Sequence, residues 1–273
     1  MNAVERWAEQ LRGWGIPEEI LASAPESPWG FQPDQMRRRA ELAAALEPTL
    51  SLRRSAEALP EGGTVLDVGV GGGAASLPLA PRVGHVTGVD GSEEMLAAFR
   101  QAAAATGVEV STVLGGWPEV AGEVGIADVV VCDHVLYNVQ DLGPFVRALD
   151  DHAHRRVVIE ITEQHPLAWM NDLWIGFHGL ERPDGPTAED AALALAELGI
   201  AARREEETRP PRSSGFDQRQ DAVSLIRRRL CLAPERDAEL AEALGGRLAA
   251  HDGVWSAGPT EQRVVTLWWD RRG

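Results

Sequence analysis

A glycine-rich turn between residues 65 and 80 constrains the fold of this chain more than any other feature. The stretch VLDVGVGGGAASLPLA begins as an apolar run, places four glycines within the five positions 69–73, and resumes with small residues. A strand, a glycine turn and a helix together form a corner that binds nucleotides, because glycine lets the backbone approach a ligand closely. We therefore predict a strand at 64–69, a helix at 74–83 and a nucleotide site between them.

The turn opens a series in which apolar strands alternate with helical patterns. Further strands are predicted at 85–90, 108–116, 127–139 and 155–162, with helices between them. Near-continuous apolar strands that alternate with helices predict an α/β fold with a doubly wound, mostly parallel sheet covered on both faces. The run RVVTLWW at 263–269 predicts a last strand.

The flanking regions predict a helical cap on this core, within one structural domain overall. We predict an N-terminal helical cap at 1–60, a cofactor-binding core at 61–165, and the remaining strands with a cap insertion at 166–273. In the last region the pattern predicts a helix at 187–199, a polar edge strand at 201–209, and helices at 221–232 and 235–251. The insertion at 210–260 suits a lid or additional packing equally well.

Charge and cysteine content exclude several function classes. The formal net charge is -16, and all 26 basic side chains are arginine, which argues against a nucleic-acid partner and against lysine Schiff-base chemistry. Cys132 and Cys231 fit neither a metal-ligand spacing nor a disulfide framework. The sequence has neither the apolar core of a signal peptide nor an apolar run of about 20 residues. We therefore expect a cytoplasmic protein that is not embedded in a membrane and carries no metal.

The glycine pattern by itself leaves the cofactor open. Residues 69–74 satisfy G-x-G-x-x-A, a loose dinucleotide fingerprint. However, Asp67 precedes the turn, and neither Arg nor Lys occurs between residues 62 and 81. A carboxylate there repels a pyrophosphate and favours a protonated amino group. Asp90, at the end of the second strand, suits the ribose diol of any adenosine, while Ser92 is the better helix cap.

These residues resemble the sequence motifs of the class I S-adenosylmethionine-dependent methyltransferases. The motifs are DVGVGGG at 67–73, GVDGSEEML at 88–96 and ADVVVCDHVLYNV at 127–139, in the expected order. The resemblance implies a seven-stranded sheet whose last strand is antiparallel, with S-adenosylmethionine as cofactor and S-adenosylhomocysteine as product. It also implies methylation of a small organic acceptor at O, N or C.

Carried over position by position, the resemblance assigns roles to residues of this chain. Asp67 and Gly69 contact the methionine portion, and Gly71 and Gly73 let the backbone approach. Asp90 holds the ribose hydroxyls. The remaining implied cofactor contacts are Gly91, Met95, Gly116, Trp117, Asp133 and His134.

The sequence departs from the family pattern after the third strand. The family often places an acidic residue there for the adenine amino group, whereas this chain has GGWP at 115–118. Trp117 is expected either to stack on the adenine or to pack as an ordinary core residue.

Candidates for the chemistry lie at the end of the fourth strand. Displacement at a sulfonium methyl depends largely on positioning, and a base is needed only when the acceptor must lose a proton early. His134 is a candidate general base, because imidazole titrates near neutral pH. Tyr137, the single tyrosine, is a candidate to line the site or bind the acceptor. We expect the N-terminal helices and the segment 166–180 to roof the acceptor pocket.

Two other functions use the same features. A nicotinamide-dependent oxidoreductase would use the same glycines, and a binding module without catalysis would use the same cofactor site. The sequence does not specify the acceptor or the oligomeric state.

Overall fold

The computed structural model describes residues 1–29, 46–211, 215–251 and 253–271. Within these residues, seven strands form one sheet in the order β3-β2-β1-β4-β5-β9-β6. The strands are β1 Gly63–Val68, β2 Val83–Asp90, β3 Glu109–Leu114, β4 Ala127–Asp133, β5 Ala153–Thr162, β6 Arg203–Arg209 and β9 Gln262–Asp270. The α-helices are α1 Ala3–Arg12, α2 Glu18–Ser23, α3 Leu50–Ala58, α4 Glu93–Ala104, α5 Leu142–Asp151, α6 Asn171–His178, α7 Ala188–Glu197, α8 Arg219–Arg229 and α9 Asp237–Leu244.

The sheet confirms the predicted fold class. Strands β1 to β5 pair in parallel, and β9 lies antiparallel between β5 and β6. Because β9 is antiparallel to both of its neighbours, β6 runs in the same direction as β5. The predicted edge strand therefore ends at the same edge of the sheet as the parallel strands.

Apolar side chains fill both faces of the sheet, as expected for parallel strands. The central strands β1 and β4 are almost entirely buried. One cluster packs under α1, α5 and α7, and a second packs under α3 and α4. A third cluster joins α6, α8 and α9 outside the sheet. This packing on both faces holds the carboxyl ends of the strands in fixed positions relative to one another.

The element after β1 differs from the prediction. Instead of an α-helix at 74–83, turns lead into a 3-10 helix, Leu77–Arg82. Pro81 lies inside this element and has no N–H to donate, which prevents a regular α-helix there.

The fourth strand is shorter than predicted. β4 ends at Asp133, and His134 adopts a left-handed conformation with φ of 61°. The rest of the predicted strand contains a 3-10 helix, Leu136–Asn138. The bend turns the chain out of the sheet at the point where the candidate chemical residues lie.

A hairpin replaces the end of the predicted helix at 235–251. Helix α9 ends at Leu244, where Gly245 takes a positive φ of 51°. The chain then forms β7, Leu248–His251, paired antiparallel with β8, Val254–Ala257. Glycine lowers the cost of the positive φ that ends the helix.

The N-terminal helices pack against the core as a cap. Trp7 of α1 is fully buried, and its indole N–H donates to the Val139 carbonyl oxygen at 2.8 Å. Helix α3 begins after Pro48, with Thr49 as its N-cap. Residues 30–45 of the predicted N-terminal cap lie outside the described residues.

Candidate active site

A cavity of about 810 Å³ opens at the carboxyl ends of β1, β2 and β4. Its volume falls within the range of small-molecule sites, and its position is where open α/β sheets bind ligands. Eight of the residues predicted for the site line it: Gly69, Gly71, Asp90, Gly91, Met95, Trp117, Asp133 and His134. The predicted residues Asp67, Gly73, Gly116 and Tyr137 are not part of its lining.

The glycines of the turn have different physical reasons to be glycine. All three of Gly69, Gly71 and Gly73 have positive φ. A Cβ on Gly73 would lie 2.7 Å from side-chain atoms of Leu77 and Phe99, so this glycine serves internal packing. A Cβ on Gly71 would meet nothing within 4 Å. Gly71 therefore keeps open the space in which a ligand would lie.

Asp90 is held rigidly at the wall of the cavity. Its Oδ2 accepts from the Gly71 N–H at 3.0 Å, and its Oδ1 accepts from the Ser92 N–H at 3.0 Å. Ser92 caps α4 by accepting from the Met95 N–H. These bonds join the carboxylate to the glycine turn on one side and to a helix start on the other. The remaining lone pairs of the carboxylate suit a diol.

Asp67 lies behind the turn instead of in the cavity. It is 1% exposed, and its Oδ2 accepts from the Ser76 hydroxyl at 2.6 Å. Burial raises the pKa of Asp67 to about 7; the Ser76 bond opposes the rise and the charge of Asp90 adds to it. The direct contact predicted between Asp67 and a ligand is therefore not provided by this geometry.

Trp117 forms part of the wall and is also a packed core residue. Its indole N–H donates to the Phe145 carbonyl oxygen at 3.3 Å, and its ring meets His152 edge-on at 5.0 Å between centroids. Packing as a core residue is therefore observed for Trp117, and stacking on an adenine stays a prediction. Gly116, beside it, lies outside the lining.

The structure corrects the placement of Tyr137. Its hydroxyl is buried and donates to the Thr162 carbonyl oxygen, and its ring stacks on Trp7. Burial raises the pKa of the phenol above its usual range. The 3-10 helix after β4 turns Tyr137 into the core beneath α1, so the phenol does not reach the cavity. No glycine or proline marks this turn, and Val135 and Leu136 continue the apolar pattern up to Tyr137.

His134 lies at the cavity with its ring held by a carboxylate. Its Nε2 is 3.0 Å from Glu160 Oε1, and its backbone N–H donates to the Glu160 carbonyl oxygen at 2.7 Å. The side chain is 26% exposed. If Nε2 carries the proton that Glu160 accepts, Nδ1 is the nitrogen with a free lone pair. The buried Glu160 carboxylate thereby holds the orientation and the tautomer of the ring.

Glu160 is a buried anion with three donors. Arg209 Nη2 donates to Oε1 at 2.5 Å, and the Ser51 hydroxyl lies 3.0 Å from Oε2. Burial opposes ionisation of Glu160, but the hydrogen bond from His134, together with Arg209 and Ser51, outweighs it and holds the pKa of Glu160 below its usual range.

Two contributors to this cluster were missed from the sequence, Ser51 and Arg209. Arg209 reaches it because β6 ends at the same sheet edge as β5. Ser51 reaches it from α3, whose first turn lies over the ends of β4 and β5. Thr49 and Arg209 line the cavity, whereas no residue of the segment 166–180 does, which corrects the predicted roof. No local motif marks either residue, because both contacts join segments far apart in the chain.

No group of three or more His, Cys, Asp or Glu side chains in the described ranges is placed to hold a metal ion. None of the helices in the described part of the chain combines the length and apolarity needed to cross a membrane.

The sheet, the glycine turn and the acidic residue ending β2 define a Rossmann-like α/β fold, whose usual ligands are dinucleotides and other adenosine-containing cofactors. Residues 65–154 match the family model described as a methyltransferase domain. The match spans β1 to β4 with the glycine turn and Asp90, the part of the chain whose motifs resemble the class I S-adenosylmethionine-dependent methyltransferases.

Curated relatives match the same part of the chain. A ubiquinone biosynthesis O-methyltransferase from Bordetella parapertussis is 32% identical over 148 residues, covering 52% of this chain and 61% of the relative. The enzyme of that name from Pseudomonas paraeruginosa is 41% identical over 116 residues, covering 40% of this chain and 48% of the relative. The matches thus span about half the length of these relatives.

Solved structures show the same fold over more of the chain. A Bacillus halodurans C-125 protein with a provisional methyltransferase designation superposes with a TM-score of 0.53 at 16% identity, covering 81% of this chain and 99% of that one. A cyclopropane-fatty-acyl-phospholipid synthase-like protein from Lactobacillus casei gives a TM-score of 0.52 at 17% identity, covering 96% and 99%.

Proposed function

We propose that this chain transfers a methyl group from S-adenosylmethionine to a small organic molecule. The observation that carries the proposal is the cavity formed jointly by the glycine turn and the fixed Asp90 carboxylate, within a methyltransferase domain. No basic residue occurs in the sequence around the turn, which favours a cofactor with cationic groups over a pyrophosphate.

The cofactor contacts proposed here follow the lining of the cavity. Asp90 accepts from the ribose hydroxyls, and Gly69 and Gly71 let the backbone lie close to the cofactor. Gly91 and Met95 border the adenine. Asp67 acts only indirectly, through Ser76 and the turn above it. When bound, the cofactor supplies an electrophilic methyl group, and the protein supplies its orientation and the exclusion of water.

A hydroxyl group is the acceptor that this site suits best. The curated relatives are named O-methyltransferases, and a hydroxyl needs a base if it is to attack as an alkoxide or phenolate. We propose that His134 Nδ1 takes this proton while Nε2–H remains bonded to Glu160. The acceptor O–methyl bond then forms as the sulfonium C–S bond breaks, which leaves S-adenosylhomocysteine.

The same proposal assigns different roles to three regions of the chain. Region 61–165 binds the cofactor, while 1–60 and 166–273 supply acceptor-side groups such as Ser51 and Arg209. Exclusion of nucleic acid is supported by the net charge of -16. Cytoplasmic location stays a prediction of the sequence.

Isothermal titration calorimetry tests the proposal directly. We expect both S-adenosylmethionine and S-adenosylhomocysteine to bind, and Asp90→Ala to weaken both at least about tenfold through the lost ribose bonds. NAD and NADP serve as competing ligands. Binding of a nicotinamide cofactor with no binding of either sulfur compound would replace the proposal by an oxidoreductase. Tight cofactor binding without turnover across a broad acceptor panel would support a binding module instead.

A pair of glycine variants separates folding from binding. Gly73→Ala is expected to lower the free energy of unfolding by about 2 kcal/mol, because its Cβ meets Leu77 and Phe99 at a positive φ. Gly71→Ala should cost about 1 kcal/mol, from the positive φ alone. We expect Gly71→Ala, however, to weaken S-adenosylhomocysteine binding about tenfold, since its methyl group enters the cavity. Urea denaturation and calorimetry give both quantities; equal binding losses in the two variants would contradict the assignment.

A further inference from the structure

The Ser51 hydroxyl bridges two carboxylates at the carboxyl edge of the sheet. Asp133 and Glu160 are register partners on β4 and β5, so their side chains project side by side. Ser51 Oγ lies 3.1 Å from Asp133 Oδ2 and 3.0 Å from Glu160 Oε2. A hydroxyl carries one proton and can donate to only one of them.

The other partners decide where the Ser51 proton points. Glu160 also accepts from His134 and Arg209, so its surroundings favour the ionised form. Asp133 has a weaker set: its Oδ1 accepts from the Glu160 N–H at 3.1 Å, and Ser51 is the partner of its Oδ2 among the described residues. If both carboxylates were ionised, the single Ser51 proton could satisfy only one of them. The oxygen of the other carboxylate would then face a lone pair of Ser51 Oγ and be repelled.

The first turn of α3 completes the arrangement. Thr49 Oγ1 accepts from the Leu52 N–H as the helix cap, and it lies 2.9 Å from Ser51 Oγ. Its own proton is therefore available to Ser51. Ser51 Oγ then accepts from Thr49 and from a protonated Asp133, and it donates to Glu160. Every hydrogen-bonding position of the Ser51 hydroxyl is used in this arrangement.

We infer that Ser51 is a positioning residue that keeps Asp133 as the neutral acid and Glu160 as the anion of this pair. The single negative charge is thereby placed beside His134, the base of the proposed function. Only the role of this charge in catalysis rests on the proposed function. Ser51 lies outside the matched domain, so the N-terminal cap sets the charge of a site built by the core. Burial of Asp133 and the charges of Glu160 and of Asp67 on β1 raise the pKa of Asp133, while the Ser51 bond and the charge of Arg209 oppose the rise.

Infrared spectroscopy in an Asp67→Asn background, with 13C-labelled aspartate as a check, tests where the proton lies. This background removes the other buried carboxyl, whose pKa of about 7 would add a protonated C=O band of its own. At pH 7 we expect a protonated carboxyl C=O band that is absent in Asp133→Asn and retained in Glu160→Gln. The band should shift in frequency in Ser51→Ala, where Asp133 loses its hydrogen-bond acceptor, and return in Ser51→Thr. Ser55→Ala is the matched control: Ser55 is also a buried serine of α3, but its hydroxyl donates to the Ser51 carbonyl oxygen.

Each other result overturns the inference. Absence of the band in the Asp67→Asn background, before any further substitution, would mean that both carboxylates of the pair are ionised. Its loss in Glu160→Gln in place of Asp133→Asn would put the proton on Glu160. Identical spectra for Ser51→Ala and Ser55→Ala would leave Ser51 without this role. Should Ser51→Ala fail to fold, the Asp133→Asn and Glu160→Gln comparison still decides the location of the proton.

Binding and turnover separate this inference from the proposed function. We expect Ser51→Ala to bind S-adenosylhomocysteine within about twofold of the unmodified chain and to lower kcat about tenfold, with Ser55→Ala near unmodified values. If the unmodified chain binds no S-adenosylhomocysteine, the proposed function fails while the infrared result still decides the role of Ser51.

Discussion

His134→Gln is expected to lower kcat by about 100- to 1000-fold, with the affinity for S-adenosylhomocysteine nearly unchanged. Gln keeps an N–H donor for Glu160 but has no nitrogen that can accept a proton at neutral pH. The His134 ring contacts the cavity, whereas the cofactor contacts proposed above lie along the glycine turn and Asp90. The loss should therefore fall on the chemical step. Single-turnover methyl transfer to the best acceptor of a hydroxyl-bearing panel measures it.

A second histidine provides the control for this variant. His85 lies on β2, and its Nε2 bonds to the Ser111 hydroxyl at 2.9 Å, outside the cavity lining. His85→Gln should leave kcat within about twofold. An equal loss in both variants would indicate damage to the fold. Full activity in His134→Gln would show that the acceptor loses its proton without a base, as positioning alone allows.

Hydrophobic periodicity was enough to predict the sheet but not its interruptions. Long apolar runs located β1, β2, β4 and β5, because buried parallel strands must be apolar on both faces. The end of β4 was placed six residues too late, at 139 instead of Asp133. The residues after Asp133 are still mostly apolar, and the left-handed turn at His134 has no glycine to announce it.

The cofactor side of the site was largely readable from local sequence. The glycine turn and Asp90 lie within about 25 residues of each other, and each follows a strand end by a fixed spacing. The orientation of the Asp67 side chain could not be predicted, because a side chain at a strand end can face either the crevice or the layer beneath it. Packing against Ser76 decides this, and that contact depends on the turn geometry.

The polar residues on the acceptor side of the site could not be predicted from the sequence, for a different physical reason. Glu160, Ser51 and Arg209 meet because strands β5, β6 and helix α3 bring their ends to one edge of the sheet. These contacts span 109 and 49 residues of sequence. A single sequence carries no record of which distant polar residues become neighbours. The charge assignment among Asp133, Glu160 and His134 could be made only once their distances were known.

The buried Asp67 carboxyl should make the stability of this chain fall as pH rises. Its folded pKa of about 7 lies above its ordinary value of 3.8, so between these limits the folded state holds a proton that the unfolded state has released. Stability due to this group is therefore fully present below about pH 4 and is lost as pH rises toward 7. Asp67→Asn keeps a side-chain oxygen for the Ser76 hydroxyl and does not titrate.

We compare the free energies of unfolding of Asp67→Asn and the unmodified chain. Between pH 5 and pH 8 the difference should change by about 3 kcal/mol in favour of Asp67→Asn, with little further change above pH 8. Urea denaturation at several pH values measures the difference between the two curves. Ser76→Ala removes the donor that favours the anion, so its loss of stability should extend to higher pH than in the unmodified chain. Parallel curves for Asp67→Asn and the unmodified chain would show that Asp67 is already ionised at pH 5.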